Sequence, residues 1–421
     1  MLLENECPVF GLSTVRGAAS SSEAGIIMRV KNRSKSERIR DALIRDGMSY
    51  VIGLSKIPIP IEAITECIKI RAGASPANFV DWRFEDWPRR YHREVEGCLG
   101  LYYEGKKLLL PQAIVLDNTS DGFKLSDIYV DCIEEPFCIP DDVRDLTEIS
   151  YEQLLQHLRK TTNYSNEQNV RLIDITQEDN RVTLTVQPVE YDRYVHTNLV
   201  LDAKPKGKNQ SLREYIHPCG KLEALRQSPL ANNLGINALL FTPDGSLVLQ
   251  VRSRKVAFNR GQVCPSASGT VSLLDVRSGK SSKSRLTLDE VPKLREAFEE
   301  LGIMQGDVQA ISFLGITREL IRGGEPDMYF CAKSRISGRE IARDRWKDAR
   351  DKWEARNLLF HHLGGYVDED LSDDNAVHKF LGAVDDFLDQ HIDKASMPLL
   401  TAIALWVKYR LTCRRPQWQG Q

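Results

Sequence analysis

Residues 286–303 read LTLDEVPKLREAFEELGI, and their spacing predicts a helix. Asp289 stands where an N-cap belongs, Pro292 is tolerated in a first helical turn, and Gly302 is placed for a left-handed C-terminal cap. Val291, Leu294, Ala297, Phe298 and Leu301 fall on one apolar face suited to packing on a sheet. Glu296, Glu299 and Glu300 fall at i, i+3 and i+4, so at about 100° per residue their carboxylates share a face. Three anions so placed repel each other and weaken the helix unless something neutralises them. A hard divalent cation does that, since Mg²⁺ takes carboxylate oxygens together with waters and substrate phosphate. A solvated acidic stripe is the other reading of the same residues.

Upstream, GINALLFTPDGSLVLQVRS at 235–253 reads as two strands reversed by a Pro-Asp-Gly turn, which predicts a β-hairpin. KVAFNRGQVCPSASGTVSLLDV at 255–276 follows, with Gly261 and Gly269 bracketing small residues, and then a basic insert from Arg277 to Arg285 with no acidic residue. That insert is either a mobile cover for an anionic ligand or an inert surface loop. Two apolar helical patterns, 375–391 and 398–411, form a helical tail.

The run REAFEELGI at 295–303 resembles the helix half of the Nudix box, Gx5Ex7REUxEExGU with U aliphatic. Arg295, Glu296, Glu299, Glu300, Gly302 and Ile303 match it, and Ala297 is a small apolar residue at the first U. The resemblance covers roughly 234–363, and within it FLGITRELIRGGEPDMYFCAKS at 313–334 resembles the family's strand, loop and strand that follow the box. The loop half departs from the pattern: Gly269 lies 26 positions before Arg295, about 12 more than the motif's spacing. Counting back from Arg295 to the loop glutamate lands on Thr287, with Asp289 and Glu290 as nearby substitutes.

The resemblance implies an α/β fold, a C-terminal Nudix-like α/β/α sandwich with a mixed sheet. It implies hydrolysis of a pyrophosphate bond in a nucleoside diphosphate-linked substrate with Mg²⁺ or Mn²⁺. Clustered phosphate charge must be shielded and the attacking water made acidic, which is what such cations supply. By the same resemblance Glu296, Glu299 and Glu300 hold metal and one of them accepts the water's proton, while Arg295 fixes the helix by pairing with a carboxylate. Glu354, in WKDARDKWEARNLLFHHL at 346–363, stands where many members supply another metal-binding glutamate; a salt bridge with Arg350 and Lys352 is the alternative. Glu325, in the GGEP turn, is a second candidate ligand. Arg252, Arg254, Arg260, Arg318 and Arg322 are candidate phosphate partners, with Arg252, Arg318 and Arg322 put forward. Two further readings remain open: a Nudix-fold sensor that binds a nucleotide without turnover, and an RNA-directed, cap-removing type of enzyme.

The rest of the chain bounds these readings. At 421 residues, with 42% apolar and 28% charged, it has material for a sizeable core and more length than one such domain needs. Lys plus Arg number 57 against 59 for Asp plus Glu, so no global field recruits nucleic acid or an anionic membrane. Nine cysteines without a CxxC pair point to reduced thiols in a cytoplasmic setting. The first residues lack a basic region followed by a long apolar run, against a secretory signal. No P-loop, GxSxG or GxGxxG is present. Adjacent His361 and His362 cannot face one metal together, and Cys264 lacks an activating neighbour.

The expected domains are a flexible basic arm at 1–35, a separate α+β domain at 36–203 of unknown role, and the Nudix-like domain at 211–421. The Lys, Pro and Gly run at 204–210 is the linker between the last two. Within the first half, strands are expected in SYVIGL, CLGLYY and KLLLPQAIVL, at 182–186 and at 195–201, and helices at 36–46, 151–159 and 211–215. Trp82, Trp87 and Tyr91, interleaved with Arg83, Arg89, Arg90 and Arg93, form either a base-stacking surface or a packed, salt-bridged corner. The expected partner is a nucleotide-type small molecule; self-association is compatible with the chain, and a membrane is not expected.

Overall fold

The computed structural model describes residues 87–413 except 104–105, 205–208, 254–258, 260, 279–285, 292–297 and 350–351. The strands are β1 (Cys98–Tyr103), β2 (Lys106–Asp117), β3 (Ile128–Cys132), β4 (Gln168–Glu178), β5 (Arg181–Glu190), β6 (Gly235–Phe241) and β7 (Ser246–Arg252). They continue with β8 (Val263–Cys264), β9 (Ala267–Thr270), β10 (Leu286–Thr287), β11 (Val308–Glu319), β12 (Glu325–Ser334) and β13 (Ala355–His362). The three long helices are α1 (Asp141–Thr161), α2 (Asp374–His391) and α3 (Met397–Thr412). The fold is mixed α/β.

The Pro-Asp-Gly hairpin forms as its sequence predicts. β6 and β7 run antiparallel with Leu240 opposite Val248 and Phe241 opposite Leu247, and the Thr242 N–H closes the turn on the Ser246 carbonyl at 2.9 Å. Gly245 sits at φ +74°, where a side chain is strained. A Cβ there would also stand 2.1 Å from the Gly364 carbonyl oxygen.

This hairpin lies in a mixed sheet of order β1-β2-β11-β12-β6-β7-β13, with β8 paired to β7 and β9 to β6. β12 and β6 are parallel, and their neighbours are antiparallel. All seven residues of β6 are buried, because the sheet is covered on both faces. Alternation sorts the strand: Leu239 and Phe241 join α2 and α3 in one core, whereas Ile236, Ala238 and Leu240 join Leu172, Val182, Leu184 and Val186 in another. Trp406 of α3 stacks on Phe241 at 4.8 Å between ring centroids. The tail helices therefore form where the apolar patterns place them.

The second face differs from the expected helical layer. Among the described residues its cover is largely a four-stranded sheet of order β10-β3-β5-β4. Val291, Phe298, Leu301 and Ile303 pack into the core between the two sheets, so the described members of the expected apolar face, Val291, Phe298 and Leu301, are buried. Part of that segment, 292–297, lies outside the described residues. Its visible start is a 3-10 turn, Leu288–Glu290, capped by Thr287 and not by Asp289: the Glu290 carboxylate accepts from the Thr287 N–H at 3.1 Å. Its visible end is a 3-10 turn, Glu299–Leu301, followed by Gly302 at φ +72°.

Both sheets cross the boundary expected at 204–210. β2 pairs with β11, Ile316 opposite Leu116, and β10 pairs with β3, Leu286 opposite Val130. Residues 87–203 thus share two sheets and two cores with residues after 211, and all described residues belong to one compact unit. The strand expected at 195–201 is instead helical, Tyr191–His196 and Asn198–Val200, with His196 stacked face to face on Tyr151 of α1 at 4.0 Å. The basic arm, Trp82, Arg83 and the helix expected at 36–46 lie outside the described residues. Trp87 and Tyr91 are buried, which removes them as stacking surfaces and fits the packed corner.

Tyr91 joins a buried network that positions the β11–β12 turn. Arg213 grips Asp202 with two nitrogens at 2.6 and 2.8 Å. It also donates to the Tyr91 hydroxyl at 2.7 Å, to the Leu320 carbonyl at 2.8 Å and to the Ile321 carbonyl. Burial opposes the guanidinium's charge, but the Asp202 carboxylate outweighs it and holds the group firmly ionised.

Candidate functional site

A cleft of about 290 Å³ gathers residues from both halves of the chain. The box segment brings Glu300, the end of β7 brings Arg252, and the 3-10 turn Lys352–Glu354 brings Trp353 and Glu354. The β11–β12 turn adds Arg322 and Glu325, β9 adds Ser268 to Thr270, and Asn233 precedes β6. The remaining wall is the loop after α1, with Thr162 to Ser165 and Glu167, then Asn169 at the start of β4 and the rings of Tyr191 and Tyr194.

The charged groups are tied to one another. Arg252 Nη1 meets Glu354 Oε2 at 2.8 Å, and Ser253 N–H donates to the Glu354 carbonyl at 2.7 Å, so β7 holds the 3-10 turn at two points. Of the alternative bridge to Arg350 and Lys352, Arg350 lies outside the described residues, and Lys352 Nζ instead donates to the Lys347 carbonyl at 3.4 Å. Glu300 is half-buried and accepts from Gln250 Nε2 at 3.4 Å; the same amide donates to the Ser266 carbonyl at 2.8 Å. Arg322 lies between Glu325 at 2.9 Å and Glu319 at 3.7 Å, and the Tyr194 hydroxyl donates to Glu325 at 2.7 Å. The cleft's described lining carries four carboxylates against two guanidiniums. By itself it repels a diphosphate.

Beneath the floor, Ser268 donates to Asn237 at 2.8 Å and Asn237 donates to Asp327 Oδ1 at 3.2 Å. Asp327 is fully enclosed, and burial, reinforced by the nearby Glu325 and Glu319, raises its carboxyl well above the usual range. Its other oxygen has no hydrogen-bond partner among the described residues.

Of the residues read from the sequence, Glu300, Glu354, Arg252, Arg322 and Glu325 come together here. Arg295, Glu296, Arg254, Arg260 and Arg350 lie outside the described residues, as does the Glu299 side chain. Arg318 does not reach the cleft. It is buried, donates to the Gly324 and Glu223 carbonyls at 3.0 and 2.6 Å, and is pushed down to about 10 by desolvation; it braces the turn and is not placed for a substrate. Cys264 is buried, and His361 packs on Phe387 and His391. Residues 279–285 of the basic insert lie outside the described residues.

The donors fit a hard cation in kind, since Glu300 and Glu354 offer carboxylate oxygen to a cleft whose net charge is negative. Among the described residues no group of three His, Cys, Asp or Glu is disposed to hold a metal. The tyrosine wall and Asn233 were not foreseen. Their segments carry no motif, and only the fold of the first half against the second brings them to the cleft. Among the described residues no helix is long and apolar enough to cross a membrane. No family model matches the chain, and no curated protein matches it.

Proposed function

We propose that this chain is a Nudix-type pyrophosphohydrolase, cleaving a pyrophosphate bond in a nucleoside diphosphate-linked substrate with Mg²⁺ or Mn²⁺. The observation that supports it is the convergence of Glu300, Glu354 and Arg252 on one net-negative cleft: Glu300 was chosen from the REAFEELGI resemblance, Glu354 from its downstream pattern, and Arg252 from the candidate phosphate partners. Glu296, Glu299, Glu300 and Glu354 would hold the cation, which when bound shields the diphosphate and acidifies a water. Arg252, paired with Glu354 at 2.8 Å, would be free to take a phosphate oxygen where Glu354 holds the cation. Gln250, fixed by Ser266, keeps Glu300 in the cleft. A carboxylate of the box segment accepts the water's proton.

The test is product identification by mass after incubation with nucleoside diphosphate compounds and Mg²⁺ or Mn²⁺. Product from the native chain that disappears in Glu299→Gln and Glu300→Gln supports the reading; product that survives in both defeats it. The sensor reading is favoured by one observation: Glu290, a candidate for the missing loop glutamate, is engaged in the Thr287 cap. Tight nucleotide binding without product would select it.

A further inference from the structure

The wall built from residues 162–194 differs in chemistry from the charged end of the cleft. Tyr164 and Tyr191 stand 5.9 Å apart between ring centroids, and Tyr191 stacks on Tyr194 at 5.8 Å. Around these rings the loop after α1 supplies small neutral polar groups, with Ser165 bonded to Glu167 at 2.9 Å. Asn233 adjoins them: its side chain is 2% exposed, it lines the cleft, and neither its amide oxygen nor its amide nitrogen has a hydrogen-bond partner among the described residues. A buried amide left wholly unpaired is costly, and an orphan of this kind calls for an explanation.

We infer that this wall binds the nucleoside portion of a nucleotide, the base lying on the half-buried Tyr164 and Tyr191 rings, which the buried Tyr194 backs, with its edge toward Asn233. A nucleobase is a flat ring with adjacent donors and acceptors, and it matches both features at once. Its face suits aromatic stacking, which tolerates any base, and its edge pairs with an amide that offers one donor and one acceptor. A phosphate matches neither the ring faces nor a neutral amide, and the cation at this wall, Arg159, lies over the Tyr164 ring at 5.7 Å. The first half of the chain thereby acquires a role: it supplies the substrate's uncharged half with a surface, and the second half supplies the chemistry. The location of the phosphates rests on the pyrophosphohydrolase reading, but the location of the base does not.

The experiment is calorimetric titration of the full chain in Mg²⁺ with ADP and, separately, with inorganic pyrophosphate. The native chain, Tyr164→Ala, Tyr164→Phe, Trp353→Ala and Glu300→Gln are compared. ADP is expected to bind about tenfold more tightly than pyrophosphate. Tyr164→Ala should erase that advantage and leave pyrophosphate affinity unchanged, which also shows that the variant is folded; Tyr164→Phe should retain the advantage. Equal affinity for the two probes, no binding of ADP, or an advantage lost in Trp353→Ala and kept in Tyr164→Ala overturns the assignment. Glu300→Gln separates the two proposals. If it leaves pyrophosphate binding untouched while Tyr164→Ala behaves as expected, the pyrophosphohydrolase reading fails and the nucleoside site stands.

Discussion

Arg252 at the end of β7 and Glu354 on the 3-10 turn before β13 are joined at 2.8 Å inside the cleft, with side chains 16% and 26% exposed. Part of this pair's Coulomb energy is screened by solvent, and such pairs contribute about 1 kcal/mol. The pair is therefore weak enough to open when a ligand competes for either partner. Exchanging the two residues, Arg252→Glu with Glu354→Arg, should leave the thermal midpoint within a few degrees of the native value and, under the proposed pyrophosphohydrolase function, lower kcat/KM by at least about 100-fold. Retained turnover in the exchanged variant would mean that Glu354 serves only the fold.

Arg213 carries a larger share of stability. Its guanidinium is buried with Asp202, Tyr91 and two carbonyls of the β11–β12 turn, so removing one partner strands a buried charge. Asp202→Ala should cost about 3–5 kcal/mol in urea unfolding. A loss below about 1 kcal/mol would show that water reaches the guanidinium once its partner is gone.

Gly245 offers a check on the hairpin itself. With φ at +74° and the Gly364 carbonyl 2.1 Å from a built Cβ, Gly245→Ala must distort either the turn or the 363–365 segment that bonds back to it through Leu363 N–H at 2.8 Å. A loss of about 2 kcal/mol or more is expected in denaturant titration, and a neutral outcome would contradict the close approach.

How much was legible follows the range of the forces involved. The β6–β7 hairpin and the tail helices are set by turn chemistry and apolar spacing within a few dozen residues, and those could be read directly, whereas the β11–β12 pair was expected from the resemblance. The pairing of Leu116 with Ile316 and of Val130 with Leu286 joins residues far apart in sequence; no local signal announces it, and the linker reading at 204–210 missed it. The same reason divides the site. Glu300, Glu354 and Arg252 carry charge in a recognisable pattern, whereas Asn233 and Tyr191 become functional candidates only through their neighbours in space. Residues 195–201 failed for another reason: an apolar run that short suits a strand or a buried helix equally, and packing of His196 on Tyr151 decided it.

His391 and His196 give the fold a dependence on acid. Burial, with His361 3.1 Å away, pushes the His391 imidazole down to about 4, and burial with nearby Arg193 does the same to His196. A histidine depressed in the folded state binds its proton less readily than the unfolded chain does. The stability it confers is full above the unfolded value of 6.5 and is lost as pH falls from there toward about 4. The urea midpoint should drop across that window, and His391→Gln should flatten the drop; an unchanged slope would remove His391 as a cause.

Asp327 works in the opposite sense and gives the sharpest sign. Burial first, then Glu325 and Glu319, raise its carboxyl in the folded state, while in the unfolded chain it titrates near 3.8. Above that pH the unfolded chain releases a proton that the native state retains, so native stability falls as pH rises. Asp327→Asn keeps an oxygen to accept from Asn237 Nδ2 and removes the proton. The variant should therefore gain on the native protein as pH rises above the unfolded value of 3.8, and should be the more stable of the two at the alkaline end. Thermal unfolding of both proteins at each pH measures this directly. A stability difference independent of pH would show that Asp327 is ionised in the folded chain, with its charge compensated by Arg322.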